Sequence, residues 1–300
     1  MTFKQYGVDV ASYQPSDVGG YHGKGADFCI VKLTQGTGYF NPRATAQVAS
    51  SRKNHMYTHA YHYAEFGASV SKAKAEAAYF IKAAKRSDID ISKKRYLWLD
   101  WEQGSGNVVT AGKAASTAAV IAFMEEVKKA GWHVGLYSGF YVLRDNLDYS
   151  KIVDKFGTCL WVASYPVAGA QSKAMFGYFP SLKGVAVWQF TDNFKGLGVD
   201  GNVAVVDLHK APAKAKKEAP KKAAKIASDA FEHVVKVNSL GRGKESWKVR
   251  LLNAEGHYTD TYVPQGTSWK THKVRTIKSM KCYLIGNDVW IPAKFVTVTK

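Results

Sequence analysis

The feature that most restricts the fold is a series of eight short apolar runs in the first two-thirds of the chain: YGVDVAS, DFCIVKLT, YTHAYHYA, RYLWLDWE, WHVGLYS, TCLWVAS, GVAVWQFT and NVAVVDL. Runs of this length with apolar side chains at most positions read as strands covered on both faces. Helical stretches separate several of them. In residues 69–85, Ala73, Ala77, Phe80, Ile81 and Ala84 share one helical face, and in residues 110–130 Val120, Phe123, Met124 and Val127 do the same. Eight buried strands with helices between them, in so short a length, predict a closed α/β barrel rather than an open sheet. The later runs follow one another closely, so the last part of the barrel is expected to lack helices.

A composition change marks the end of this region. HKAPAKAKKEAPKKAAK, residues 209–225, is rich in Lys, Ala and Pro and has almost no large apolar residue. Such a segment buries too little surface to offset the entropy of ordering, and Pro212 and Pro220 break any long helix, so it reads as a charged linker. Beyond it, FEHVVKVNS, SWKVRLLN, YTDTYVP, KTHKVRTIK, KCYLIG and VWIPAKFVTV are short and alternating, with GNDV (286–289) placed as a hairpin turn. The expected organisation is therefore a barrel over 1–208, a linker over 209–225 and a small all-β domain over 226–300.

The chain carries a formal charge of +18, and residues 211–300 hold 18 Lys and Arg against 7 Asp and Glu. That concentration of positive charge in the last third suits an anionic partner: nucleic acid, a membrane surface or an anionic wall polymer. Cys29, Cys159 and Cys282 are far apart and form no CxxC pair, so neither a disulfide framework nor a zinc knuckle is indicated. The first residues, MTFKQYGVDVASYQ, do not read as a signal peptide, and no apolar run is long enough for a membrane span.

The chemistry concentrates in YLWLDWEQGSG, residues 96–106. On a strand, residues two apart face the same side, so Asp100 and Glu102 point together and Trp101 points away. Two neighbouring carboxyls resist ionising together, which leaves one of them protonated near neutral pH beside an ionised partner, the pairing that glycoside cleavage uses. Other strand ends add acids. Asp9 interrupts the apolar Val8-Asp9-Val10, a position that is costly without a partner or a task, and Asp200 follows the VAVWQF run. Aromatic residues gather at the same strand ends, among them Tyr13, Tyr39, Tyr61, Tyr63, Trp98, Trp101, Tyr137, Trp161, Tyr165 and Trp188. They suit the apolar faces of sugar rings, although part of the set must be core packing. His55 and His59 lie in a strand-like run with no Glu after His55, which argues against zinc. There is no GxSxG, Walker A or Rossmann glycine pattern, and TQGTGY (34–39) lacks the lysine and helix start of a phosphate loop.

Taken in order, GVDVASYQP, IVKLTQGTGYFNP, AYHYAEFG, YLWLDWE, GLYSGF, LWVASYP and VAVWQFTDN resemble the glycoside hydrolase family 25 lysozymes, the Chalaropsis-type N-acetylmuramidases. Within that family the set is most similar to phage endolysins of Gram-positive, Lactobacillus-like hosts. The likeness covers residues 3–208. It implies an irregular (β/α)5β3 barrel that hydrolyses the β-1,4 bond between N-acetylmuramic acid and N-acetylglucosamine of peptidoglycan, with no cofactor and no metal. It implies Glu102 as general acid, Asp100 as its tuning partner, and Asp9 and Asp200 as residues that orient water or the N-acetyl group, with the nearby Asp207 as the competing match for the last acid. Tyr61, Tyr63, Lys32, Tyr137, Trp161, Trp188 and Gln189 are the expected substrate-binding residues. The C-terminal ending resembles surface-layer-type or SH3-like wall-binding modules, which implies an anionic wall polymer or surface-layer component as partner, with no nucleic acid and no membrane insertion. The expected protein is a monomer made in the host cytoplasm and released to the wall, by a holin. Two other readings stay open at this point: a catalytically silent carbohydrate-binding barrel, and a glycosidase of chitin-like polymers.

Overall fold

The computed structural model describes residues 3–90, 95–104, 106–210, 228–241, 246–286 and 289–299. The chain divides into two compact units. The first comprises the described residues up to 164 together with 171–174 and 179–210; the second comprises 165–170, 175–178 and the described residues from 228 on. The expected linker lies outside the described residues from position 211 onward.

The first unit is a closed barrel of eight strands. In chain order they are β1 (Gln5–Val10), β2 (Phe28–Gln35), β4 (Tyr57–Tyr63), β5 (Tyr96–Asp100), β6 (His133–Gly139), β7 (Leu160–Ala163), β8 (Val185–Thr191) and β9 (Asp200–Ala204); a two-residue β3 (Tyr39–Phe40) folds back on β2. Strands β1 to β8 of the barrel pair in parallel. The last strand, β9, runs antiparallel to both β8 and β1, and its pairing with β1 closes the ring.

Helices follow each of the first five barrel strands: α1 (Gly19–His22), α2 (Ala44–Lys53), α3 (Val70–Arg86), α4 (Lys113–Lys129), then α5 (Phe140–Asn146) and α6 (Tyr149–Phe156) together. After β7 no α-helix intervenes, only a 3-10 turn at Phe176–Tyr178. The helix-poor end predicted from the crowding of the last runs is therefore present. The amphipathic stripes expected on α3 and α4 face inward: Ala73, Ala77, Phe80 and Ala84 are buried on the first, and Val120, Phe123, Met124 and Val127 on the second, with Ile81 half-buried at the stripe's edge. Ser69 caps α3, its hydroxyl accepting from the Lys72 amide.

Alternation along each strand sends every second residue into the barrel. Phe28, Ile30, Tyr61, Tyr96, Trp98, Tyr137, Trp161 and Val187 form one buried cluster there. The rings of Tyr96 and Trp98 stack at 4.8 Å, and Tyr137 and Trp161 tilt together at 4.5 Å. Rings as large as these fill the interior, so the barrel is a packed core and not a pore.

The strands of the second unit form a seven-stranded antiparallel sheet: β10 (Ser228–Val237), β11 (Lys248–Leu252), β12 (Tyr258–Pro264), β13 (Ser268–Ile277), β14 (Met280–Gly286), β15 (Val289–Pro292) and β16 (Val296–Val298), in the order β12-β11-β15-β14-β13-β10-β16. This is the all-β arrangement expected from the alternating runs. The run VWIPAKFVTV, read as one strand, is two, because a 3-10 turn at Ala293–Phe295 follows Pro292. The middle of the expected GNDV turn, positions 287 and 288, lies outside the described residues, although β14 and β15 pair on either side of it. No described helix is long and apolar enough to cross a membrane.

Candidate active site

Parallel strands bring their C-terminal ends to one face, and the antiparallel β9 brings its N-terminal end there. Asp9 near the end of β1 lies in register with Asp200 at the start of β9. Across the barrel, Asp100 at the end of β5 is in register with Tyr63 of β4 and Tyr137 of β6. Glu102 follows two residues later. The four expected acids thus belong to one barrel mouth. Asp207 does not: it lies beyond the far end of β9, where its carboxylate accepts from the His209 amide and pairs with Lys210 at 3.2 Å.

Two amides that hold Asp9 link one side of the mouth. Asn202 donates to Asp9 Oδ2 at 2.7 Å, and Gln189 donates to the same oxygen at 2.9 Å and to Asp200 Oδ2 at 3.4 Å. Each amide is oriented in turn by a ring donor. Trp161 Nε1 donates to Asn202 Oδ1 at 2.7 Å, and the Tyr137 hydroxyl donates to Gln189 Oε1 at 2.9 Å. The amide orientation is fixed at both ends, because only the nitrogen can donate to a carboxylate and only the oxygen can accept from the ring.

The other side is built by the segment after β5. Trp101 is buried with its Nε1 donating to Gly67 O, its amide donating to Tyr137 O, and its carbonyl accepting from the Ser138 hydroxyl at 2.6 Å. The buried Asn107 donates to the Glu102 carbonyl at 2.8 Å and accepts from the Gly67 amide at 2.8 Å. Glu102 is thereby fixed at the backbone on both flanks, while its half-buried side chain remains at the mouth.

The electrostatics follow from burial of several acids in one place. Desolvation raises Asp100 well above the ordinary carboxyl range, the Glu102 charge raises it further, and the nearby Lys32 ammonium opposes both. Glu102 is raised by burial and by Asp9, again against Lys32. Burial also raises Asp9 against the pull of its amide donors, and burial together with the Asp9 charge pushes Asp200 up to about 9. The cluster cannot carry four negative charges, so it stores protons near neutral pH. Asp100 Oδ1 is buried and has no hydrogen-bond partner among the described residues.

Of the expected substrate-binding residues, Tyr61, Tyr137 and Trp161 form the aromatic floor beneath the acids, Gln189 is part of the amide network, and Tyr63 and Lys32 stand at the wall, the Lys32 ammonium 4.7 Å from the Tyr63 ring centroid. Trp188 is elsewhere. It precedes Gln189 on β8 and so points out of the barrel, fully buried, donating to Ser164 O and packing edge-on against Phe179 and Phe190. The structure corrects its expected place: it supports the outer wall and does not reach the acids. The sequence reading missed Asn202, Asn107 and Ser138. Among the described residues no three His, Cys, Asp or Glu side chains come together as metal ligands. His62, for instance, faces the helices and is held between Thr34 and Glu76.

A closed barrel with a proton-storing carboxyl cluster over an aromatic floor is the architecture of an acid-catalysed glycosidase. Comparison with known proteins narrows this class. The model of glycosyl hydrolases family 25 matches residues 8–199. A lysozyme of Lactococcus phage mv1 is 53% identical over 181 residues, 60% of this chain and 89% of that one. A lysozyme of Streptococcus phage Cp-7 is 34% identical over 204 residues, 68% of this chain and 54% of that one, so the present chain spans about half of that relative. Among solved structures, the pneumococcal cell wall endolysin from phage Cp-1 superposes with a TM-score of 0.57 at 24% identity, covering 97% of this chain and 77% of that one, a likeness of fold. The chain belongs to glycosyl hydrolases family 25, and it is a glycoside hydrolase.

Proposed function

We propose that this protein is an endolysin-type muramidase that cuts the β-1,4 bond between N-acetylmuramic acid and N-acetylglucosamine in peptidoglycan, with Glu102 as general acid. The observation that carries the reading is the cluster itself: Asp9, Asp100, Glu102 and Asp200 at one mouth, each with raised proton affinity. The lysozymes of phages mv1 and Cp-7 support the choice of substrate.

Glu102, at the open edge, holds the proton and passes it to the glycosidic oxygen as the C1–O bond breaks. Asp100, buried beside it, tunes Glu102 by charge repulsion and, once ionised, stabilises positive charge developing on the sugar ring. Asp9 and Asp200, oriented by Asn202 and Gln189, face the side from which water or the substrate's own N-acetyl oxygen approaches C1. Tyr61, Tyr63, Tyr137 and Lys32 line the sugar site. We assign this catalytic module to residues 1–208, a linker to 209–225 and a wall-targeting module to 226–300. The excess of Lys and Arg over Asp and Glu beyond residue 210 favours an anionic wall polymer as its ligand.

Digestion of purified peptidoglycan, borohydride reduction and mass spectrometry of the fragments test the reading. New reducing ends on N-acetylmuramic acid are expected. Reducing ends on N-acetylglucosamine would move the bond, activity on chitin alone would move the substrate, and no cleavage by an otherwise folded protein would sink the proposal.

A further inference from the structure

A fifth carboxylate stands beside the mouth without a place in the mechanism above. Glu65 comes two residues after β4, and its backbone is pinned from behind: its amide donates to Glu76 Oε2 at 3.0 Å, the same oxygen that meets His62 Nε2 at 2.8 Å. Its side chain lies between the loops that follow β2 and β5. A Cβ at Gly36 would overlap the Glu65 carboxylate, and one at Gly106 would lie 2.9 Å from Glu65 Cγ. Both glycines also have positive φ, +50° and +83°, so each position excludes a side chain twice over. Gly36, the first glycine of the TQGTGY run that suits no phosphate loop, leaves the space that Glu65 occupies.

From that slot a short relay leads into the site. Glu65 Oε1 accepts from Gln35 Nε2 at 2.8 Å, and Gln35 Oε1 accepts from Lys32 Nζ at 2.8 Å. The carboxylate therefore dictates which way the Gln35 amide faces, and the amide dictates where the ammonium sits. The rings of Tyr63 and Tyr39, 4.7 and 5.6 Å from Nζ, complete the setting. The charges that face Lys32 are Asp100 and Glu102 from the β5 end and Glu65 from the β4 end. Lys32 is hydrogen-bonded to the amide and acts on Asp100 and Glu102 through its field.

We propose that Glu65 is a positioning residue for hydrolysis: through Gln35 it fixes the Lys32 ammonium opposite the Asp100–Glu102 pair, and loss of that hold changes both the rate and the pH range of the reaction. The inference rests on the reading of Glu102 as proton donor. Its direction follows from the sign of the charge. A fixed cation favours ionised Glu102, so a cation released from its place leaves Glu102 protonated to higher pH, and the alkaline limb of the rate profile moves up.

The test is hydrolysis of purified peptidoglycan by wild type, Glu65→Ala, Glu65→Gln, Gln35→Ala, the double variant Gln35→Ala with Glu65→Ala, and Glu102→Gln across about pH 4 to 9, with circular dichroism confirming the fold. Glu65→Ala is expected to lower kcat by about tenfold, to change KM by less than about twofold, and to raise the alkaline limb by about half a pH unit. Gln35→Ala should reproduce this, and the double variant should be no worse than either, because the two act in one chain. Glu65→Gln keeps an oxygen for Gln35 Nε2 and should stay within about threefold of wild type with an unshifted limb. A folded Glu65→Ala with the wild-type limb, or additive loss in the double variant, overturns the inference while Glu102→Gln is inactive. A wild type that cuts no glycosidic bond, or an active Glu102→Gln, overturns the site reading and the inference with it.

Discussion

Asn202→Ala offers a direct test of how the acid cluster is held. The side chain makes two buried hydrogen bonds, to Asp9 Oδ2 and from Trp161 Nε1, both 2.7 Å. Truncation leaves the Trp161 N–H with no acceptor and leaves Asp9 with Gln189 as its remaining amide donor. Each buried polar group stranded in this way costs about 1–3 kcal/mol, so the barrel should lose roughly 2–5 kcal/mol. For a unit of this size 1 kcal/mol corresponds to about 2–4 °C, which places the fall in the barrel's thermal midpoint at about 4–20 °C. Asn202 is also the leading influence that lowers Asp9 against its burial, so Asp9 should become harder to ionise and the acidic limb of the activity profile should move up. Calorimetry of the full chain and a pH–rate series on peptidoglycan measure both. A midpoint within about 1 °C of wild type, together with an unchanged acidic limb, would show that the amide does not carry Asp9 and would refute the reasoning.

Other expectations can be checked alongside. Glu102→Gln should keep the fold and reduce hydrolysis by at least about a hundredfold, measured as released reducing ends. Asp200→Asn should slow the reaction, whereas Asp207→Asn, beyond the far end of β9, should leave kcat unchanged; equal losses would contradict the placement of the mouth. Because burial raises Asp200 to about 9 from an unfolded value near 3.8, its contribution to stability is fully present below about pH 4 and lost as pH rises towards 9. Urea midpoints should therefore decline over that range in wild type and decline less in Asp200→Asn. Removing residues 211–300 should weaken binding to purified walls more at low salt than at high salt, since screening already blunts the electrostatic part; a loss independent of salt would point to specific contacts.

Much of the barrel was legible in the chain. Continuous apolar runs and the stripes on α3 and α4 gave its strands and helices, and acids at strand ends stood out against apolar neighbours. The order of motifs identified the family. Trp188 shows a limit that alternation itself could have removed: Trp188 and Gln189 are adjacent on one strand and cannot both face inward, and the hydrogen bonds of Gln189 decide between them. Asn202 was less accessible. Within GNVAVV it looks like a turn residue, and its meaning comes from Asp9, 193 positions away, which closure of the barrel brings beside it. Glu65 likewise gains its role from two glycines on separate loops, a fit that no local pattern announces.

The closing strand has a consequence for biosynthesis. Asp9 leaves the ribosome well before Asp200, yet they are partners across the β1–β9 seam. Until residue 204 is available, β1 keeps one edge without its neighbour, and the ring that concentrates the acids does not exist. A chain that ends before β9 is therefore expected to lack hydrolytic activity however many of its acids it already contains, whereas one that ends after residue 210 holds the whole ring. The closing strand, and not the count of acids, completes the hydrolytic centre.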